Sequence, residues 1–263
     1  MLTRTEGIVL KTQEYAEADL VVTHLTLDRG IIKTFAKSPR KTKSRFGSSL
    51  EPLTHAKISL WGKEHTLPKI TQSDIISTFQ SLRENIQDFA NVSKLAEILI
   101  FLMPEGIPNK RLFSLFLNTM KFIESFEQKQ KDSIYLISQI RLLMELGYAP
   151  RLKGCGRCGA KSFDFYPGSG TILCKRCVSS QFRGNYQQSI KITGKTANFY
   201  SQSAEWHVRA LTRLKPPRDT INELSFLLEE HITYLLNKRL QSSEFLAGLP
   251  NVSQAHNQKI KRR

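Results

Sequence analysis

The sequence predicts α and β parts in series: a small N-terminal β-barrel, then an α-helical body that carries a four-cysteine zinc element. Three observations predict it. The apolar residues alternate with a period near two over the first eighty positions, and from about Phe79 they recur at three- and four-residue spacing. All four cysteines of the 263-residue chain fall between Cys155 and Cys177.

The barrel elements come first. EGIVLKT alternates, DLVVTHLTL is a β-branched run, Asp28-Arg29-Gly30 is a turn, and IIKTFAK follows. LTHAKISLW and HTLPKITQSDIIS continue, joined at a Gly62-Lys63 turn. Five short strands at near-regular spacing suggest an OB-fold, a five-stranded barrel that binds oligonucleotides. Between the third and fourth strands, SPRKTKSRFGSSLEP places Lys37, Arg40, Lys41, Lys43 and Arg45 in a stretch with no carboxylate from Asp28 to Glu51. An isolated run of this kind is usually a solvated loop; on a barrel edge, beside Lys33, it becomes a candidate phosphate-binding surface. Phe35 and Phe46 are candidate base-stacking groups or barrel core, and core suits Phe35 better because it lies inside a strand.

The helical body starts near residue 81. QDFANVSKLAEILIFLM ends at Pro104 and Gly106, KRLFSLFLNTMKFIESFE repeats apolar groups, and SIYLISQIRLLMEL runs from an Asp132 cap to Gly147. Leu112, Leu115, Phe116, Phe122 and Phe126 read as a bundle core. Further on, Thr220-Ile221-Asn222-Glu223 resembles a capping box that opens LSFLLEEHITYLLNKRL. The expected domains are 1–80, 81–250 with the zinc insert at about 150–180, and a basic, disordered tail over 251–263.

Within the insert, two C-x-x-C knuckles stand fifteen residues apart, the spacing of a closed structural zinc site rather than of a redox pair or two disulfides. Cys155, Cys158, Cys174 and Cys177 would supply four thiolates to one Zn²⁺, and this leaves no coordination position for water or substrate. Gly156 and Gly159 suit the knuckle turns. The metal is expected to be structural.

The net charge is +16, with a pI near 9.8, which points to a polyanionic partner. Residues 151–218 carry 13 basic and 2 acidic groups, whereas residues 81–150 carry 8 of each. Lys175 and Arg176 sit in the basic stretch, inside the second knuckle. This clustering favours a binding face over general solubility. The N-terminus lacks an apolar run long enough for a signal peptide, and ILIFLM at 98–103 cannot span a bilayer, so no membrane role and a cytoplasmic location are expected.

Catalytic patterns are missing. Gly194-Lys195-Thr196 would need a glycine at position 189, which is Ser189, to be a P-loop. The six histidines are scattered and read as ordinary surface or half-buried residues, with no G-x-S-x-G or H-E-x-x-H around them. The chain is expected not to be an enzyme.

Taken in order, EGIVLKTQEYAEADLVVTHLT, DRGIIKTFAKSPRKTKSRFG followed by LEP, LLMELGYAPRLKGCGRCG and LNKRLQSSEFL resemble the RecO family of bacterial recombination mediators over most of the chain. Family members more often carry glycine and a small residue where Ser38-Pro39 stand, and some lack the cysteine set. The resemblance implies a non-catalytic, nucleoid-associated protein that binds single- and double-stranded DNA and anneals complementary strands. It further implies action with RecR to help load RecA on DNA coated by single-strand-binding protein. The C-terminal tail of that protein would seat between the helical body and neighbouring cations Arg209, Arg213, Lys238 and Arg239. An RNA- or translation-associated OB protein with a zinc ribbon is the alternative reading of charge and cysteines.

Overall fold

The protein is described by a computed structural model over residues 2–40, 46–62, 66–181, 189–205 and 216–249. Lys41, Lys43, Arg45, Lys63, Arg209, Arg213 and the 251–263 tail lie outside the described residues.

Strands β1 (Leu2–Tyr15), β2 (Asp19–Thr26), β3 (Gly30–Ala36), β4 (His55–Trp61) and β5 (Lys69–Ser77) pair in the order β1-β2-β3-β5-β4, and β4 returns to β1. The ring closes through one parallel pair, Phe35 with Lys69. This is the five-stranded architecture expected from the alternation, with one difference. β1 is not short: its first half pairs with β4 and its second half with β2, and the register shifts between Val9 and Lys11. One long strand serving two neighbours is how a sheet of tilted strands curls shut.

Strand alternation explains the two cores. Val9, Val22, Ala36, Phe46, Ile58, Leu60 and Ile70 fill the barrel interior. Ile8, Leu10, Leu25 and Ile31 point outward, yet they are buried because the helices cover them. Those helices are α1 (Gln80–Glu84), α2 (Ile86–Leu102), α3 (Lys110–Ser125) and α4 (Gln128–Glu145). Leu112 and Phe116 are buried in the shared core, and Leu115, Phe122 and Phe126 pack against its edge, as the apolar stripe predicts. Gly30 is the tightest point of the seam. Its φ is +64°, and a Cβ there would collide with the carbonyl of Ile107.

After α4 a small sheet forms from β6 (Arg151–Cys155), β7 (Asp164–Tyr166), β8 (Thr171–Ile172) and β9 (Ile190–Lys191), in the order β6-β8-β7-β9. Helices α5 (Lys175–Gln181), α6 (Gly194–Glu205), α7 (Arg218–Leu236) and α8 (Gln241–Gly248) complete the described chain. None of these helices is long and apolar enough to cross a membrane.

Three local expectations need correction. α4 begins a turn before Asp132, with Glu127 at its N-cap, so Asp132 lies inside the helix, where burial pushes its carboxyl above the usual range. α7 begins at Arg218 after Pro217 rather than at a Thr220 cap. Glu223 instead reaches α6, where it accepts hydrogen bonds from the Thr193 amide and from the hydroxyls of Thr193 and Thr196. A long-range partner has displaced the local cap there, because tertiary contacts outweigh single capping bonds. Finally, His24, His55 and His231 are buried rather than surface or half-buried groups.

His24 faces the barrel interior beside Val9 and Ile32, and burial lowers its pKa from 6.5 to about 4, against a smaller opposing effect of the Val22 backbone. The folded chain thus favours neutral His24, and the unfolded chain binds the proton first. Its contribution is complete above about pH 6.5 and is lost as pH falls towards 4, a difference of about 3 kcal/mol. Urea unfolding at about pH 7 and about pH 4.5 is expected to show a smaller acid-side loss in His24→Leu than in the parent. Equal losses would show that His24 does not titrate with folding.

Candidate metal centre and nucleic-acid interface

The first knuckle grows from the end of β6. Cys155 donates its amide to the Ala160 carbonyl at 2.8 Å and accepts from Gly159 at 2.9 Å, which folds Gly156 to Cys158 into a tight turn. Gly159 takes φ +72°, as the knuckle requires. Gly156 is needed for a different reason: a Cβ there would collide with the Thr171 side chain. In the second knuckle Cys174 precedes α5, and its carbonyl accepts from Cys177 at 3.0 Å and Val178 at 3.1 Å. The hairpin β7-β8 returns the chain so that Ile172 accepts from Gly156 at 2.8 Å, which sets the two knuckles side by side.

As a result the four Sγ atoms lie within 4.8 Å of one another, with Cys158 and Cys174 3.6 Å apart. A tetrahedron with metal–sulfur bonds of about 2.3 Å has edges of about 3.8 Å, so this cluster fits one metal ion. All four cysteines are free, and 3.6 Å is far beyond a disulfide bond. Their protons are unevenly held. Burial acts to raise the Cys155 thiol, but the backbone groups of Cys158, Cys174 and Arg157 bring it down to about 6. Cys177 is pushed up to about 12, chiefly by its contacts with the Cys158 and Cys174 sulfurs. A divalent cation is what would let all four sulfurs ionise together.

On the barrel, alternation along β3 puts Lys33 and Phe35 on the outer face, while Thr34 and Ala36 point inward. Phe35 is half-buried and meets Tyr15 edge to face, with ring centroids 5.9 Å apart. Tyr15 is 59% exposed. Phe46, by contrast, is buried in the barrel interior and is no stacking surface. Tyr15 was missed by sequence reasoning; the only signal was an aromatic residue at a strand end beside a polar turn.

The basic loop leaves β3 through Ser38, whose φ of +54° lies in the left-handed region that glycine enters most easily. The Ser38 amide donates to Asp19 Oδ1 at 2.7 Å, and so the loop is tied to the β1–β2 turn. Arg40 pairs with Glu14 at 2.9 Å, Lys33 pairs with Glu105 at 2.6 Å, and Lys37 is exposed. Both pairs are solvent-exposed, so they hold their cations only weakly against a phosphate. Lys175 and Arg176 are exposed at the start of α5.

A third feature lies where β1, α2 and α8 meet. A groove of about 850 Å³ is lined by Phe89, Phe101 and Phe245, with Lys11, Lys238 and Arg239 at its rim. Lys238 and Arg239 belong to the linker after α7, not to the helix as its sequence suggested. The Lys238 ammonium stands 3.8 Å from the Phe101 ring centroid. Ser242 donates its amide and hydroxyl to Glu97 at 3.0 and 2.5 Å, which seats the start of α8 on α2.

Residues 1–79 match the family model for "Recombination protein O N terminal", and residues 83–244 match "Recombination protein O C terminal". The chain is 43% identical over 233 residues to the DNA repair protein RecO of Thermodesulfovibrio yellowstonii, covering 88% of this chain and 92% of that one. It is 29% identical over 250 residues to that of Dehalococcoides mccartyi, covering 94% and 95%, and 33% identical over 182 residues to that of Rubrobacter xylanophilus, covering 68% and 72%.

Metal analysis of the purified chain is expected to find one divalent ion per molecule. Cys174→Ser should lose it and melt at a lower temperature, because the small sheet has little apolar core of its own to hold it. A folded parent without metal, or a variant as stable as the parent, would remove the site.

Proposed function

Because the chain belongs to the RecO family of DNA repair proteins, we propose that it binds single- and double-stranded DNA, anneals complementary strands and, with RecR, helps load RecA onto DNA coated by single-strand-binding protein. The role is that of a mediator and not of an enzyme. It would act in the bacterial cytoplasm, at the nucleoid. The observation that carries the reading is the match of both family models to a chain whose barrel presents an aromatic pair beside a basic loop.

The mechanism follows from charge and stacking. Lys33, Lys37, Arg40, Lys41, Lys43 and Arg45 neutralise phosphates of one strand, while Tyr15 and Phe35 offer ring faces to its bases. Arg40 exchanges Glu14 for a phosphate, a low-cost exchange at an exposed site. Lys175 and Arg176 attract a second strand, and base pairing between screened backbones then releases the duplex. The metal is zinc, held by Cys155, Cys158, Cys174 and Cys177: four thiolates match its preference, and it would stabilise the knuckles without touching DNA. The acidic, phenylalanine-ended tail of single-strand-binding protein fits the groove between α2 and α8, where an aromatic floor meets Lys238 and Arg239. Arg209 and Arg213 are candidates for the same tail.

Replacing Arg40, Lys41, Lys43 and Arg45 together by alanine is expected to weaken single-stranded DNA binding without changing the melting temperature. The log–log salt slope should flatten by about 0.7 for each phosphate that is no longer neutralised, and an unchanged slope would mean that these side chains never meet the backbone. Equal affinity for RNA of the same length would favour the RNA-associated reading instead.

The tail peptide should bind at micromolar strength, roughly −8 kcal/mol, and lose at least about tenfold without its terminal phenylalanine. Lys238→Glu with Arg239→Glu should abolish binding. Indifference to either change would refute the groove.

A further inference from the structure

A second groove lies beside the first knuckle, walled by the end of α4 and by α6, with a volume of about 680 Å³. Its rim carries Arg151, Lys153 and Arg157, all exposed. Its floor is apolar. Met144 is 41% exposed there, and Tyr200 is fixed in place by donating its hydroxyl to the Pro150 carbonyl at 2.7 Å. Gly154, Gly156 and Gly159 line one wall, and of these only Gly159 faces open space where a side chain would stand.

We propose that this knuckle groove is the seat of the second single strand, held by its phosphates on Arg151, Lys153 and Arg157. The inference rests on the DNA-binding reading above and deepens it. An apolar floor beneath like-charged rim groups suits a polymer with one charge per nucleotide, its bases on the floor and its phosphates at the rim. The charge also extends past the groove. Lys161, Lys175, Arg176, Lys191 and Lys195 are exposed on the same sheet and its helices, against two acidic residues, Asp164 and Glu205, in the described stretches from 151 to 205. An acidic peptide with one apolar anchor would not need so long a field. The amides of Gly156 and Gly159 are already used by Ile172 and Cys155, so neither is offered to a base edge, and the rim cations contact phosphates, which carry no sequence information.

The test uses the full chain as purified and two non-complementary oligonucleotides, one with a donor and one with an acceptor fluorophore. The parent is expected to hold both at once. Replacing Arg151, Lys153 and Arg157 by alanine should abolish energy transfer while leaving binding of the first strand unchanged, and should flatten the salt slope of second-strand binding by about 2. Arg151→Lys with Arg157→Lys should retain transfer. A second measurement needs no variant: in the parent, the second strand should shield Lys153 from an acylating reagent, and the first strand alone should not. Undiminished transfer in the alanine variant, or Lys153 equally reactive with one strand or two, overturns the groove and leaves the DNA-binding reading intact. The same holds for a parent that binds one strand and never two, whereas a parent that binds none sinks both.

Discussion

The barrel and the helices are joined by the burial of β1 on both its faces. Val9 fills the barrel interior, and Ile8 and Leu10, on either side of it, are covered by the helical core. A strand with one wet face would have left these two side chains in water, and each buried side chain of this size contributes roughly 2 kcal/mol. The same seam draws in Leu25, Ile31 and Leu53, and it brings Gly30 against Ile107 so closely that no side chain fits. The Ile31 carbonyl accepts from Gly106 at 2.9 Å, and Lys33 pairs with Glu105 just beyond. One covered face thus fixes which part of β3 remains open, and the open part is where Phe35 and Lys37 stand.

The cysteine element solves a different problem. Its own core is Cys155, Leu173 and Val178 with a few half-buried neighbours, too little apolar area to hold strands of two to five residues. Convergent thiols are the substitute. The backbone is arranged for them: both knuckle carbonyls accept from amides within their own turn, and Gly156 passes Thr171 without a side chain in between. His231 of α7 ties this element to the helical body, with its Nε2 atom 2.8 Å from the Tyr148 carbonyl and its ring edge against Phe165.

Charge is distributed according to what the core needs. Two of the least exposed carboxylates hold helices together: Asp88 meets Lys131 at 2.5 Å and the Tyr135 hydroxyl at 3.0 Å, and Glu229 meets Lys94 at 2.5 Å. By contrast, Lys37 beside β3 and Arg151, Lys153, Arg157, Lys175 and Arg176 of the cysteine element are exposed. These described cations face water and any polyanion that reaches the surface.

Features that depend on a short stretch of chain were legible in the sequence. The spacing of four cysteines implied one cluster, because two turns and a hairpin are local geometry. The periods of two and of three to four implied a strand region and helices, because they report which side chains share a face. What remained hidden depended on contacts between residues far apart. Phe35, inside a strand, looked the better core residue, and only barrel closure reversed this by putting Phe46 inside and Phe35 beside Tyr15. Thr220 and Asp132 looked like caps until Glu223 found Thr193 and Thr196, and until α4 gained a turn. Lys238 and Arg239 looked helical, yet they stand at a groove formed by β1, α2 and α8. No local pattern encodes such neighbours, since burial and partner choice are properties of the packed chain.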